Sequence, residues 1–398
     1  MKFLMVCIAG AADQPIELLD GKTPLEVAKV PNMHYFAKLG RCGTVKLASE
    51  RLEPSADSSF VNLLGYNADK QYTGRGPLEA ADMGLVLEEN EIPFRMNFIT
   101  ESGGKLADPR GGGISSKEAK ALINFLNKKI SSGFVRFFAG HEHRHIAVIK
   151  DSHGYDALSA KTFCPDNIVG ERIDDNLPKG PGEELLKKLM YDAKLLLQDH
   201  EINQVRVDLQ ENPANMIWLW GQGRKPQLER FSDRFGMSGA VVSSVEYARG
   251  AARHAGLAVV DVPELTGHYE TDLERKAKTA IEALKDKDFV CIYLDENDEA
   301  SRLGDLKGKV TALEATDYFL LSWIREYMEE NKDTRVLITP GIVTPCKTKR
   351  SLREIVPFSV SGAGIMPDEV TRFTELAAKS SEFKMASGKE LVEAFFNQ

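Results

Sequence analysis

The sequence predicts an α/β fold, a mostly parallel sheet covered by helices on both faces, with a smaller α+β insertion. Three observations carry this expectation. Apolar runs of strand length recur along the chain. They are apolar throughout instead of alternating, as strands buried on both faces must be. Helical patterns separate several of them, and strand-helix-strand repetition favours parallel pairing. In order, FLMVCIA near residue 3 reads as a buried first strand running into a Gly-rich turn. The stretch from 67 to 170 differs in texture, with GRGPLEAADMG, ESGGKLADPRGGG, a short helix KEAKALINFLNKKI and a strand HIAVIK near 145. It reads as the insertion, leaving 1–66 and 171–398 as the main domain. Within 171–398 follow a helix PGEELLKKLMYDAKLLLQ, a strand MIWLW near 216, a helix SSVEYARGAARHAG and a strand LAVVDV near 257. Then come a helix ETDLERKAKTAIEALK, a strand DFVCIYL near 288, a helix TALEATDYFLLSWIREYMEEN, and strands RVLIT near 335 and PFSVSG near 357.

Composition narrows the function classes. The 398 residues carry 51 basic and 59 acidic side chains, a net charge of −8. That balance argues against nucleic acid or an anionic membrane as partner, since both need a concentrated positive field. Five scattered cysteines (Cys7, Cys42, Cys164, Cys291, Cys346) without a CxxC pair fit a reducing, cytoplasmic setting better than a disulfide framework. No apolar run approaches the roughly 20 residues that span a bilayer. The start, MKFLMVCIAGAADQP, imitates a secretory signal, but its apolar run is short and reads well as the first strand.

Several strings accumulate in a fixed order: GKTPLEVAKVPN (21–32), NLLGYNADKQYTGRGPLEA (62–80), FRMNF (94–98), NPANMIWLWGQG (212–223), GAVVSSVEYARG (239–250) and VPFSVSG (356–362). Together they resemble the archaeal-type cofactor-independent phosphoglycerate mutases of the alkaline-phosphatase-like superfamily. The resemblance implies an alkaline-phosphatase-like domain made from both ends of the chain, with a substrate-binding domain inserted. It also implies transfer of a phosphoryl group between the 3- and 2-positions of glycerate through a phosphoserine. Two divalent ions, Mn, Mg or Zn, would activate the serine and neutralise the transferring group.

The family's own residues are largely replaced. Where members read PDGAAD this chain has Ile8-Ala9-Gly10-Ala11-Ala12-Asp13, so a ligand position is Ala9. The nucleophile of the family's PGSD string falls at Ala56, with Asp57 beside it and Ser55, Ser58 and Ser59 out of register. PDEAGH becomes Asn297-Asp298-Glu299-Ala300-Ser301-Arg302, which keeps Asp298 but places Arg302 at the imidazole position. PDHPTP becomes Pro340-Gly341-Ile342-Val343-Thr344-Pro345, and the last family His falls at Ser351. Of the nucleophile and six ligand positions only Asp298 remains. Two carboxylates go and one cation arrives, a change of about +3. Unmetallated acids side by side would repel by roughly 4 kcal/mol per close pair at an effective dielectric near 20, so their removal suits a site without metals. Arg302 is then placed to pair with Asp298.

The substrate side keeps more. Arg75 in TGRGP, Arg95 and Asn97 in FRMNF, Arg110 in DPRGGG and Arg144 before HIAVIK sit where the resemblance implies a substrate cleft, and guanidinium forks suit phosphate and carboxylate. The family's DRRAGR is Asp108-Pro109-Arg110-Gly111-Gly112-Gly113 here, so two arginines are missing. Lys347, Lys349, Arg350 and Arg353 form a basic loop, read as a solvated surface or an anion-binding loop. His34, His143 and His145 read as structural histidines, and Trp218 and Trp220 as packing. The expectation is a catalytically degenerate homologue, needing no cofactor, that binds a phosphorylated or carboxylated small molecule as a sensor, regulatory partner or subunit of a homo- or hetero-oligomer. The alternatives are an active mutase or related phosphohydrolase with a rearranged site, or metal-independent chemistry at Asp57, Asp298 and Arg302.

Overall fold

The computed structural model describes residues 1–151, 154, 156–262 and 269–397. In chain order its strands are β1 (Lys2–Ile8), β2 (Gly40–Val45), β3 (Glu91–Ser102), β4 (Lys105–Asp108), β5 (Val135–Phe138), β6 (Arg144–Lys150), β7 (Met216–Trp220), β8 (Gly239–Val242), β9 (Ala258–Val260), β10 (Phe289–Leu294), β11 (Thr334–Thr339), β12 (Val356–Gly362) and β13 (Lys384–Met385). The chain divides into two compact units, Met1–Tyr72 with Gln227–Gln398, and Thr73–Pro226.

In the first unit eight strands form one sheet in the order β13-β2-β12-β11-β1-β10-β8-β9. β1 lies between β11 and β10, and β11, β1, β10, β8 and β9 all run parallel. β12 is antiparallel to both its neighbours. The alternation of side chains along a strand divides β1 between two cores. Leu4, Val6 and Ile8 pack with Leu273, Ala277, Leu320 and Ile324. On the other face Phe3 meets Phe395 and Phe396 edge-on at 5.4 and 5.0 Å, from the helix Gly388–Asn397. The sheet is thus helix-covered on both sides, as its unbroken apolar strands require.

The string TALEATDYFLLSWIREYMEEN, expected as one helix, is an α-helix Leu306–Ala315, a π-helical turn Thr316–Leu321 and an α-helix Ser322–Glu330. The widened turn serves the helix Pro31–Lys38, whose preceding residue Val30 offers no capping side chain. Asp317 takes that role, accepting the Asn32 and Met33 backbone N–H groups at 3.1 and 2.7 Å. Burial holds its carboxyl above the usual carboxylate range.

The second unit is an antiparallel sheet with β3 as its spine. The order is β4-β3-β6-β5, and β7 pairs β3 on its other edge. The register sets Arg95 opposite Ile146 and Trp220, and Asn97 opposite Arg144 and Trp218. This unit reaches Pro226, whereas the sequence expectation ended the insertion at 170. Pairing explains the correction: β7 completes the sheet of β3. The helix Glu183–Leu197 sends Leu186, Leu189, Met190 and Ala193 into one core with Ile92, Phe94, Phe98 and Leu122. The start also shifts, from 67 to Thr73.

Candidate functional site

In an open α/β sheet, sites form beyond the carboxyl ends of the parallel strands. Here three loops meet there, following β1, β10 and β11. Ala9 N–H donates to Leu294 O at 2.8 Å and Gly10 N–H to Pro340 O at 3.2 Å. Gly10 is required by this closeness: its φ is +72°, and a Cβ on it would lie 2.5 Å from the Asp298 Cα. Gly341 stands at φ +71°, and a Cβ there would lie 2.7 Å from the Cys7 sulfur. Ala9, Ile342 and Ala56 are buried.

Three of the positions at which the resemblance implies metal ligands are hydrogen-bonded to one another. Arg302, one helical turn after Asp298, donates its Nε–H to Asp298 Oδ2 at 2.7 Å, and its Nη2 lies 3.2 Å from Ser351 Oγ. Thr344 Oγ1 donates to Asp298 Oδ1 at 2.6 Å. Thr344 has a single hydroxyl proton, so at the 3.3 Å contact between Thr344 Oγ1 and Ser351 Oγ Ser351 is the donor. The result is a closed ring of Asp298, Arg302, Ser351 and Thr344. Both carboxylate oxygens are engaged, and the side chains of Asp298 and Arg302 are only 9% and 17% exposed. A pair of divalent ions needs several carboxylate, imidazole or water donors. A single carboxylate held by a guanidinium, among Ala9, Gly341, Ile342 and a hydroxyl, does not fit such a pair.

Beside the ring lies a buried ion pair that sequence reasoning missed. Lys309 Nζ donates to Asp13 Oδ2 at 2.7 Å, to Thr344 O at 2.9 Å and to Ala12 O at 3.2 Å, which uses all three ammonium protons. Their side chains are 0% and 1% exposed. No local pattern announces a pair separated by nearly three hundred residues.

Ala56 opens the helix Ala56–Leu63, capped by Ser55. Asp57 is buried, accepts the Tyr72 hydroxyl on Oδ2 at 2.7 Å and the Ser58 N–H on Oδ1 at 3.0 Å. Ser55 and Ser58 bond one another at 2.9 Å. Phe60 of this helix lies 4.5 Å, ring to ring, from Tyr293. Burial first, then Tyr247 and more weakly Cys7 and Asp298, push the Tyr293 phenol well up, so it stays protonated. The basic loop disperses: Arg353 donates to Ser49 O and Leu52 O, while Lys347, Lys349 and Arg350 are exposed.

In the second unit the structure gathers all five substrate-side residues. Arg95 and Glu79 form a buried ion pair. Arg95 Nε–H and Trp220 Nε1–H both donate to Asn97 Oδ1, at 2.9 and 3.1 Å, and Asn97 Nδ2 donates to Pro109 O at 3.3 Å, next to Arg110. The Arg75 and Arg95 guanidinium carbons lie 5.4 and 6.0 Å from the Trp220 ring centroid. Arg144 stands opposite Asn97. His143 completes the cluster: burial first, then Arg95, Arg144 and Arg110 around it, push its imidazole down to about 2. Trp220 is thus part of the cluster and not packing alone, while Trp218 turns its Nε1–H to Phe163 O. Glu79, Trp220 and His143 were not among the sequence-predicted residues. The alternation of FRMNF, which puts Arg95 and Asn97 on one face with Trp220 opposite, was the available signal.

The profile of a family described as 2,3-bisphosphoglycerate-independent phosphoglycerate mutase matches residues 37–203. A relative of that name from Methanothrix thermoacetophila is 37% identical over 393 residues, covering 98% of each chain. Another from Methanosarcina acetivorans is 37% identical over 396 residues with the same coverage. A protein of known structure from Pyrococcus horikoshii superposes with a TM-score of 0.80 at 25% identity, covering 100% of this chain and 97% of its own. A cofactor-independent phosphoglycerate mutase from Thermoplasma acidophilum shares the fold, with a TM-score of 0.60 at 24% identity and 99% coverage of both chains.

Proposed function

The chain belongs to the family of 2,3-bisphosphoglycerate-independent phosphoglycerate mutases, and from that premise we propose that it is a degenerate member: it binds a phosphorylated or carboxylated small molecule and transfers no phosphoryl group. The observation that carries this reading is the ring of Asp298, Arg302, Ser351 and Thr344. A hydroxyl nucleophile requires a base or a metal to lower its pKa. Position 56 carries no hydroxyl, and the retained carboxylate is held by a guanidinium. The binding role rests on the arginine, asparagine and tryptophan cluster of the second unit, whose guanidinium groups suit oxyanions.

The test is turnover of 3-phosphoglycerate with Mn, Mg or Zn, metal analysis of the purified protein, and calorimetric titration with 3-phosphoglycerate. The expected result is binding without turnover and without stoichiometric metal. Ala56→Ser alone is expected to leave the protein inactive, since the restored hydroxyl has nothing to activate it. A second reading, an active mutase with a rearranged site, is favoured by full-length kinship with proteins named as such enzymes. Metal-dependent interconversion of 3- and 2-phosphoglycerate by the native chain would establish it.

A further inference from the structure

β2, β4 and β5 each have a sheet edge closed by side chains or loop backbone. Asn127 takes both backbone groups of Phe137 on β5, at 3.0 and 2.8 Å. On β2, where pairing with β13 stops, Asp368 accepts the Cys42 N–H at 2.8 Å and Ser381 donates to Cys42 O at 2.6 Å. Leu106 of β4 donates to Glu171 O at 3.0 Å and accepts the Gly170 N–H at 2.8 Å. β9, the last strand of the eight-stranded sheet, differs: among the described residues nothing bonds its outer edge. Its residues, Ala258, Val259 and Val260, include no charge and no proline, the usual devices that keep edges apart. Ala258 is exposed, and Val259 and Val260 are half-buried. Grooves flank the strand. One, of about 630 Å³, separates Val260 from the helix Tyr269–Asp286 and is lined by Lys278, Glu282, Ala283 and Asp286. The other, of about 530 Å³, is lined by Phe231, Leu257, Ala258 and Lys287.

The charges along this edge change sign from one end to the other. The helix Tyr269–Asp286 leads from the carboxyl end of β9 back to the amino end of β10, and both strands run parallel with β8. Lys278 therefore stands toward the carboxyl end of the edge and Asp286 toward its amino end, about 12 Å apart at 1.5 Å per residue. Asp261 follows β9 at the carboxyl end with its side chain 83% exposed, and Lys287 follows the helix at the amino end. We propose that β9 pairs antiparallel with β9 of a second copy about a two-fold axis at Val259, joining the two eight-stranded sheets edge to edge. Ala258 then stands opposite the partner's Val260 and Leu257 opposite the partner's Asp261, so no two charges face each other across the strands. Lys287 meets the partner's Asp261, and Asp286 meets the partner's Lys278. A parallel copy would set like charges side by side. In the single chain Lys278 pairs with Glu274 at 2.5 Å, Asp261 with Arg249 at 2.8 Å and Glu282 with Lys285 at 2.6 Å, so Glu282, near the middle of the edge, brings no open charge to the axis. So short a strand pair with charged rims associates weakly and reversibly. The pairing is independent of what the second unit binds.

Analytical ultracentrifugation of the full chain between about 1 and about 200 µM, at low and high salt, reads the association. The expected result is a monomer–dimer equilibrium that weakens as salt rises. Ala258→Lys puts a cation on the edge at an exposed position and should abolish the dimer while the thermal midpoint of the monomer is kept. Asp261→Lys and Lys287→Asp should each weaken association by about tenfold or more, since like charges then meet twice per dimer. The double variant should recover most of that loss, because the two positions face each other only across the axis. Both charge changes lie outside the strand, so they decide the matter even where Ala258→Lys disturbs the sheet. A native chain that stays monomeric across the whole range overturns the pairing. A dimer that survives Ala258→Lys, or a double charge swap that associates no better than the single changes, places the contact elsewhere and overturns it equally.

Discussion

Lys309 and Asp13 show how far single residues determine this fold. The ammonium has three acceptors, and Asp13 Oδ2 also accepts the Cys346 N–H at 3.1 Å, so the pair ties the loop after β1 to the loop after β11. Removing only the cation strands a buried carboxylate, which typically costs about 3–5 kcal/mol. Lys309→Met is therefore expected to lower the urea-unfolding free energy by that amount. Adding Asp13→Asn should recover part of the loss, because the residual group is then neutral and the two sites are coupled. A single Lys309→Met variant as stable as the native chain would show that the pair carries little of the fold. None of this was legible in the sequence. Asp13 was visible only as the end of a familiar string and Lys309 as one of many lysines, since partners so distant in the chain are joined only by topology. The Asp298 and Arg302 pairing was legible, because a four-residue spacing on a helix places both groups on one face.

At the scale of elements, the parallel strands were readable because continuous apolar runs admit few alternatives. β3 does not share that signature: Arg95 and Asn97 interrupt the apolar run of EIPFRMNFITES, and what marks the strand is the apolar-polar alternation of Phe94, Arg95, Met96, Asn97 and Phe98. The same sheet carries a pH dependence. Burial first, then Arg95, push the His145 imidazole down to about 3, and His143 stands at about 2. In the unfolded chain both titrate near 6.5. A group whose folded value is depressed favours the native state while it is neutral, so this contribution is present above about pH 6.5 and is lost as pH falls toward the folded values. By pH 5 each imidazole costs about 2 kcal/mol. The difference in urea midpoint between pH 7 and pH 5 is thus expected to shrink in His145→Gln. An unchanged difference would mean that His145 is protonated in the native protein.

For the whole molecule, the fold class was legible and the division into units was misplaced. The sequence suggested a boundary at the change of texture near 170, but composition cannot reveal that MIWLW, a strand much like the others, pairs with β3 and not with β1. Strand runs declare burial and leave partnership open.

The same scale decides what metal ions do to this chain. In a protein whose loops are held by two divalent ions, those ions are part of the folding free energy, because they bind the native state alone. Here the loops after β1, β10 and β11 are joined by protein groups instead: the Lys309 ammonium bridges Asp13, Ala12 and Thr344, and Arg302 with Ser351 closes on Asp298. Each cation is paired with a buried carboxylate and is covalently part of the chain. Dialysis against EDTA is therefore expected to leave the thermal midpoint unchanged, and Mn added in excess should not raise it. An ion bound at a hundred times its dissociation constant would add about 2.7 kcal/mol, a shift of roughly 2 °C or more for a protein of this size, well within reach of calorimetry. A midpoint that falls in EDTA and recovers with Mn would show that the ring of Asp298, Arg302, Ser351 and Thr344 opens to admit a metal, and the degenerate reading would fall with it.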